Sequence, residues 1–237
     1  MILAAGLGTR LGDITRVIPK ALVDVAGRTA LEHVAGRLID AGADRLIINV
    51  HHHAALIVDF VESLGGFGVE VAFSHERDAP LETGGGLLHA AGLFRRDAPF
   101  LLHNVDVLCD ADLHALYAAH AAKGALATLA VHARETTRYL LFDGDRLIGR
   151  HDRHSVSGAE MFAAAEEPRR LAFAGIHVIS PALLDLITER GAFSIIDVYM
   201  RLTAAGHRIV GHDIGSARWL EIGNAARLDA ARRELGD

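Results

Sequence analysis

The chain has 237 residues, 51% of them apolar, a formal net charge of −6 and a single cysteine. That length suits one large α/β domain or two small ones. The lone Cys109 excludes an internal disulfide, the acidic balance without a basic block excludes a nucleic-acid partner, and the lack of a long apolar run or charged leader points to a cytoplasmic protein with no membrane segment.

Met1 to Ala5 reads as a short apolar strand that runs into Gly6-Leu7-Gly8-Thr9-Arg10-Leu11-Gly12, with Lys20 beyond. A glycine loop leaving a buried strand lets backbone N–H groups approach an anion. Thr9 adds a hydroxyl donor, and Arg10 and Lys20 supply charge. The loop is not a Walker A motif, because the chain contains no Gly-Lys pair. Nor is it a dinucleotide fingerprint: Leu11 stands where the third glycine belongs, and Pro19 interrupts the helix that should follow.

Thr29-Ala-Leu-Glu32 is a capping box, and Leu31, Val34, Ala35, Leu38 and Ile39 follow at helical spacing until Gly42. Arg45 to Val50 reads as a buried strand. Ile57, Phe60, Val61 and Leu64 mark a second helix, and Val69 to Ser74 a third strand. This alternation predicts a parallel sheet covered on both faces. His51-His52-His53, at the strand-to-helix junction, reads as a polar turn rather than a zinc site, since no cysteine pair or His-Glu-x-x-His accompanies it. Leu81 to Gly86 opens a helix with three successive glycines; their missing Cβ atoms would let a nucleoside lie against the helix start, with Glu82 accepting hydrogen bonds from it. Phe100 to Val105 is a further strand, and Asp106 just past its end lies where open α/β sheets bind ligands, which makes it the first candidate metal ligand. Asp110 is read as the cap of the following helix and Asp112 as part of its solvated face.

From Leu126 the pattern changes to strands at Leu126 to Val131, Tyr139 to Phe142, Leu147 to Gly149 and Phe173 to Ile179. His151 and His154 fall in a polar stretch read as a loop, not a metal site. Pro181 starts a short helix and Ser194 caps another; Arg208 to His212 and Trp219 to Ile222 are late strands, and Asn224 opens the last helix. No repeat or linker interrupts the chain, which is read as one domain over residues 1–237.

Leu3-Ala-Ala-Gly-x-Gly-Thr-Arg-Leu11 followed by Pro19-Lys20-Ala21-Leu22 resembles the signature of the sugar-1-phosphate nucleotidylyltransferases. Phe100 to Asp106 resembles that family's strand ending in Gly-Asp, Phe173 to Val178 its sugar-contacting strand, and Trp219-Leu-Glu-Ile-Gly223 its closing Trp-x-Asp-x-Gly. The Leu-Glu-Thr-Gly-Gly-Gly stretch is most similar to the N-acetylmuramate-1-phosphate uridylyltransferase and mannose-1-phosphate guanylyltransferase branches. The resemblance implies a Rossmann-like fold with a mixed, mostly parallel sheet flanked by helices, and Mg²⁺-dependent transfer from a nucleoside triphosphate to a sugar 1-phosphate. It also implies a nucleotide-binding half (1–125) and a sugar-binding half (126–237), with a homodimer as a candidate assembly. Three positions depart from the pattern: Val105 replaces a glycine, Glu221 replaces the second metal aspartate, and the Glu-x-Lys-Pro that grips the sugar in relatives is missing from Leu147 to Glu160.

On this reading Arg10 and Lys20 are catalytic: Arg10 holds the leaving phosphates, and Lys20 draws the two anionic reactants together. Asp106 and Glu221 hold the metal. Leu3, Ala4, Ala5, Gly6, Gly8 and Thr9 carry the nucleotide, with Glu82 and Gly85 bounding the base and Asn104 near the ribose. Tyr139 and Gly175 are the sugar-side candidates by resemblance. Phosphocholine as a non-sugar acceptor and a non-catalytic nucleotide-binding regulator are the competing expectations.

Overall fold

The computed structural model describes residues 1–153, 158–163 and 165–236; His154, weighed above, lies outside them. The short strand β1 (Ile2–Leu3) leads through the glycine loop and the one-turn helix α1 (Ile14–Val17) to a hairpin of β2 (Asp24–Val25) and β3 (Arg28–Thr29). The hairpin delivers Thr29 to the start of α2 (Ala30–Asp40), where the capping box forms: the Thr29 hydroxyl accepts the Glu32 N–H at 3.1 Å, and the Glu32 carboxylate accepts that of Thr29 at 2.7 Å. Then come β4 (Arg45–Val50), α3 (Ala54–Ser63) and β5 (Glu70–His75), followed by α4 (Glu82–His89), β6 (Phe100–Asn104), β7 (Val107–Cys109) and α5 (Leu113–Lys123). The later strands are β8 (Ala127–His132), β9 (Arg138–Asp143), β10 (Arg146–Asp152), β11 (Ala159–Met161) and β12 (Arg169–Ile179). After α6 (Ala182–Asp185) and α7 (Ile195–Ala204), β13 (Ile209–Asp213), β14 (Trp219–Glu221) and α8 (Ala225–Gly236) close the chain.

A ten-stranded sheet runs in the order β11-β10-β13-β8-β12-β6-β1-β4-β5, with β9 pairing β10 and β12. β6, β1, β4 and β5 are parallel, as are β8 and β13; antiparallel pairings around β12, β9 and β10 fill the rest. The expected parallel sheet is thus concentrated in the first half of the chain. In the register of β1, Ile2 faces both Ile48 and His103, which brings the ends of three strands to one level.

Strand alternation divides the core between the two faces. Leu46, Ile48 and Val50 join α2, α3 and α8 on one side, while Ile47 joins α4 and α7 on the other. Two expectations are corrected. α5 is capped by Asp112, whose carboxylate accepts the Ala115 N–H at 2.9 Å from an extended backbone; Asp110 instead accepts the Arg218 N–H at 2.7 Å and so ties β7 to β14. His151 lies on β10, paired with Tyr139, and not in a loop.

Several histidines are buried in this core. Burial pushes the His103 imidazole down to about 4 and that of His177 down to about 3, and His177 Nδ1 is hydrogen-bonded to the Tyr199 hydroxyl at 2.7 Å. Both rings are neutral in the fold at neutral pH, whereas in the unfolded chain they take up protons below about 6.5. Their contribution is present above that pH and lost as pH falls toward the folded values. Urea unfolding at pH 7 and pH 5 should show stability falling by about 4 kcal/mol from these two groups. A pH-independent midpoint would mean that the rings take up protons in the fold as readily as in the unfolded chain.

Candidate active site

The glycine loop is shaped by two left-handed glycines, Gly8 at φ +64° and Gly12 at φ +61°. Gly8 is also a close approach, because a Cβ there would lie 2.8 Å from Thr15 Cγ2 and 3.2 Å from Lys20 Cβ. The Thr15 hydroxyl donates to the Gly8 carbonyl at 3.0 Å, folding α1 back over the loop. The histidine triplet braces this arrangement from behind. His52 and His53 donate to the carbonyls of Thr15 and Arg16 at 3.2 Å each, and His51 Nδ1 donates to that of Glu76 at 2.6 Å. A carbonyl only accepts, so each of these ring nitrogens carries its proton.

Pro19 aims Lys20 inward. Its side chain is 9% exposed, and Nζ lies 2.5 Å from Asp106 Oδ2, joining the loop to the end of β6. Beside this pair, Glu221 Oε1 is 3.8 Å from the Arg10 guanidinium, while its other oxygen is bound by Arg227. Arg10 itself is largely exposed, its side chain keeping 66% of its surface open. Asn104 Oδ1 is buried without a hydrogen-bond partner among the described residues. Gly175, at φ +79°, makes room for it: a Cβ there would sit 2.9 Å from Asn104 Nδ2.

These groups surround a cleft of about 580 Å³. Leu3, Ala5, Gly6, Gly8, Thr9, Arg10, Lys20, Glu82, Asn104 and Asp106 all line it, and Glu221 reaches it beside Gly223. Ala4 lies behind the wall, its N–H bound to Asn49 Oδ1 at 2.6 Å. Gly175 stands behind Asn104. Tyr139 is set off from the cleft on β9, its hydroxyl accepting the Thr136 N–H at 3.2 Å and the Arg153 guanidinium 5.9 Å from its ring centre.

The three glycines of α4 correct the expectation of open space for a nucleoside. A Cβ on Gly84 would lie 2.5 Å from the Phe193 ring, one on Gly85 2.4 Å from the Gly191 carbonyl, and one on Gly86 2.6 Å from Glu76 Oε1. Protein fills the room they leave, and Gly85 is off the cleft. Glu82, at φ +58°, remains on the cleft wall and exposed. Sequence reasoning missed Asn49, Glu76, Arg138 and Ser194, which also line the cleft. Asn49 had a signal, as the one polar residue among the last apolar positions of β4; Glu76, in a run of charged residues after β5, had none.

A model of the nucleotidyl transferase family matches residues 1–236. The chain is 31% identical over 243 residues to N-acetylmuramate alpha-1-phosphate uridylyltransferase of Caulobacter vibrioides, covering 100% of this chain and 96% of that protein. It is 30% identical over 197 residues to mannose-1-phosphate guanyltransferase of Candida albicans, covering 80% of this chain and 52% of that one. The fold is similar to that of UDP-glucose pyrophosphorylase from Acinetobacter baumannii, with a TM-score of 0.81 at 20% identity over 99% of this chain and 92% of the other.

Gly85→Ala should destabilise the fold by about 3 kcal/mol, at the upper end of overpacking costs, because a backbone carbonyl cannot swing aside. Gly92, with nothing within 4 Å of its missing Cβ, is the control, and Gly92→Ala should stay within about 0.5 kcal/mol of the parent. Equal urea midpoints for the two variants would refute the packing account.

Proposed function

The chain belongs to the nucleotidyl transferase family, and from that premise we propose that it transfers a nucleoside monophosphate from a nucleoside triphosphate to a sugar 1-phosphate, releasing pyrophosphate. The observation that carries this reading is the convergence of Lys20, Asp106 and Arg10 on one glycine-loop cleft. Full-length similarity to the Caulobacter uridylyltransferase puts UTP and N-acetylmuramate 1-phosphate first among the pairs to test, which would place the chain in cell-envelope polysaccharide synthesis.

The attacking group is an oxygen of the sugar phosphate, already ionised at neutral pH, so no side-chain nucleophile or base is needed. It approaches the α-phosphorus in line with departing pyrophosphate, and the protein's task is alignment and charge neutralisation. Lys20 is held in the cleft between the two anions. Arg10, exposed at the mouth of the cleft, holds the leaving phosphates. The base rests on Leu3 to Gly6 and is bounded by Glu82, with Asn104 offering its unpartnered Oδ1 to a ribose hydroxyl. The half 1–125 takes the nucleotide and the half 126–237 the acceptor, with Gly175 shaping that side through the room it leaves for Asn104 and Tyr139 set back from it on β9.

Asp106 and Glu221 would hold Mg²⁺. Both are hard oxygen donors on adjoining segments, since the N–H of Ile222, next to Glu221, bonds the Asp106 carbonyl at 2.9 Å. Magnesium takes one or two carboxylates and completes its shell with substrate phosphates and water, so this small donor set fits it. When bound, it would neutralise charge on the phosphates and polarise the α-phosphorus. No helix among the described residues is long and apolar enough to cross a membrane; we place the reaction in the cytoplasm, where nucleoside triphosphates are made.

Pyrophosphate release measured over a grid of nucleoside triphosphates and sugar 1-phosphates, with phosphocholine as a control acceptor, should give one strong pair. With that pair, Lys20→Ala and Asp106→Asn should each lose about a hundredfold or more in kcat while keeping a native circular dichroism spectrum. Nucleotide binding without turnover across the whole grid would favour a regulator and overturn the transferase reading.

A further inference from the structure

Two polar side chains are buried at the floor of the cleft with no role in the reaction above. Asn49, near the end of β4, is 2% exposed, and Glu76, one residue past β5, is 3% exposed. Asn49 Oδ1 accepts the N–H groups of Ala4 and Ala5 at 2.6 and 3.3 Å. Its Nδ2 donates to Glu76 Oε1 at 2.6 Å, and Glu76 Oε2 accepts the Leu81 N–H at 2.7 Å. No cation pairs with Glu76 among the described residues; hydrogen-bond donors alone satisfy it.

The direction of this chain of bonds is set at both ends by backbone amides, which only donate. Position 49 must therefore accept toward β1 and position 76 toward Leu81; with asparagine at 49, whose remaining group donates, position 76 has to accept at both oxygens. A carboxylate does so, and a carboxamide does not. The chain is also tightly enclosed. A Cβ on Gly86 would lie 2.6 Å from Glu76 Oε1 and 2.7 Å from Asn49 Nδ2, so only glycine lets α4 close over the pair.

Each end of the chain holds one wall of the space assigned above to the base. Ala5 lines the backbone floor, and Ala4 lies directly behind it. Leu81 immediately precedes Glu82, whose left-handed backbone at φ +58° persists only where its surroundings fix it. Leu81 N–H is bound to Glu76 on one side, and the Gly84 N–H is bound to the Phe193 carbonyl at 2.9 Å on the other. We infer that Asn49 and Glu76 form a positioning relay that fixes the floor under the base against Glu82 at its edge, and that discrimination between nucleotides depends on the relay. The inference rests on the base site proposed above.

Exchanging the two functional groups tests it. In Glu76→Gln a donor must face either Asn49 Nδ2 or the Leu81 N–H; in Asn49→Asp two carboxylates face each other. The double variant Asn49→Asp/Glu76→Gln restores every donor–acceptor match with the polarity reversed between the positions. Each single variant should raise KM for the preferred triphosphate by about tenfold and narrow the ratio of kcat/KM between it and the next-best triphosphate. KM for the acceptor should stay within about twofold, and the double variant should return near the parent values. An unchanged nucleotide KM in Glu76→Gln overturns the proposal, as does a loss shared equally by both substrates. If the single variants do not fold, the double variant decides: parental discrimination supports the relay, and a double variant that is unfolded or undiscriminating overturns it. Calorimetric titration with the triphosphates alone reads the discrimination as a ratio of Kd, so a parent enzyme inert in turnover would sink the transferase reading while leaving this test in place.

Discussion

An ammonium group buried in a cleft needs a counter-charge, and the Lys20–Asp106 contact at 2.5 Å supplies it. The rest of the molecule is arranged so that these two residues, far apart in sequence, can meet. β1 places the glycine loop inside the sheet, between β4 and β6. β6 ends beside it and delivers Asp106. Pro19 and the turn after it bring Lys20 back underneath the loop. An acidic chain that receives polyanions has to gather positive charge locally, and here it does so by burying one cation against a carboxylate while leaving a second, Arg10, exposed at the mouth.

The second carboxylate of the site is set up differently. Glu221 is gripped by Arg227 on α8 and approached by Arg10 from the loop, so its charge is shared among groups from opposite ends of the chain. Among the described residues β14, which carries Glu221, pairs with β7 alone and stands apart from the large sheet, and the Asp110–Arg218 bonds reinforce that pairing. The site is thus closed by a two-stranded clasp and not by the main sheet.

Much of this was legible before any coordinates. The capping box at Thr29, the apolar strand from Arg45 to Val50 and the glycine loop with its two cations each carry a local signal, period or motif that survives without context. What stayed hidden depended on contacts distant in sequence. β7 has three residues and exists only because β14 lies against it. Asp110 and Asp112 are equally good caps in isolation, and Arg218, more than a hundred residues on, decides between them. The glycines of α4 look like a ligand platform until Phe193, Gly191 and Glu76 are seen to occupy the space. The histidine triplet reads correctly as a turn, yet its service to the glycine loop depends on the carbonyls of Thr15 and Arg16, which no spacing rule connects to it.

The position of β13 in the sheet bears on how the chain is made. It lies between β8 and β10, although both precede it in the sequence. During synthesis the ribosome therefore releases β8 with one edge unpaired until Ile209–Asp213 emerges to lie along it, while β10 meets β13 only at Arg146. Unpaired edges recruit other chains. β14 follows later still, so a nascent chain lacks Glu221 and its clasp throughout that interval. Emergence of β13 and β14 thus both covers the open edge of β8 and completes the site, and the interval before it is one in which a chaperone has something to offer.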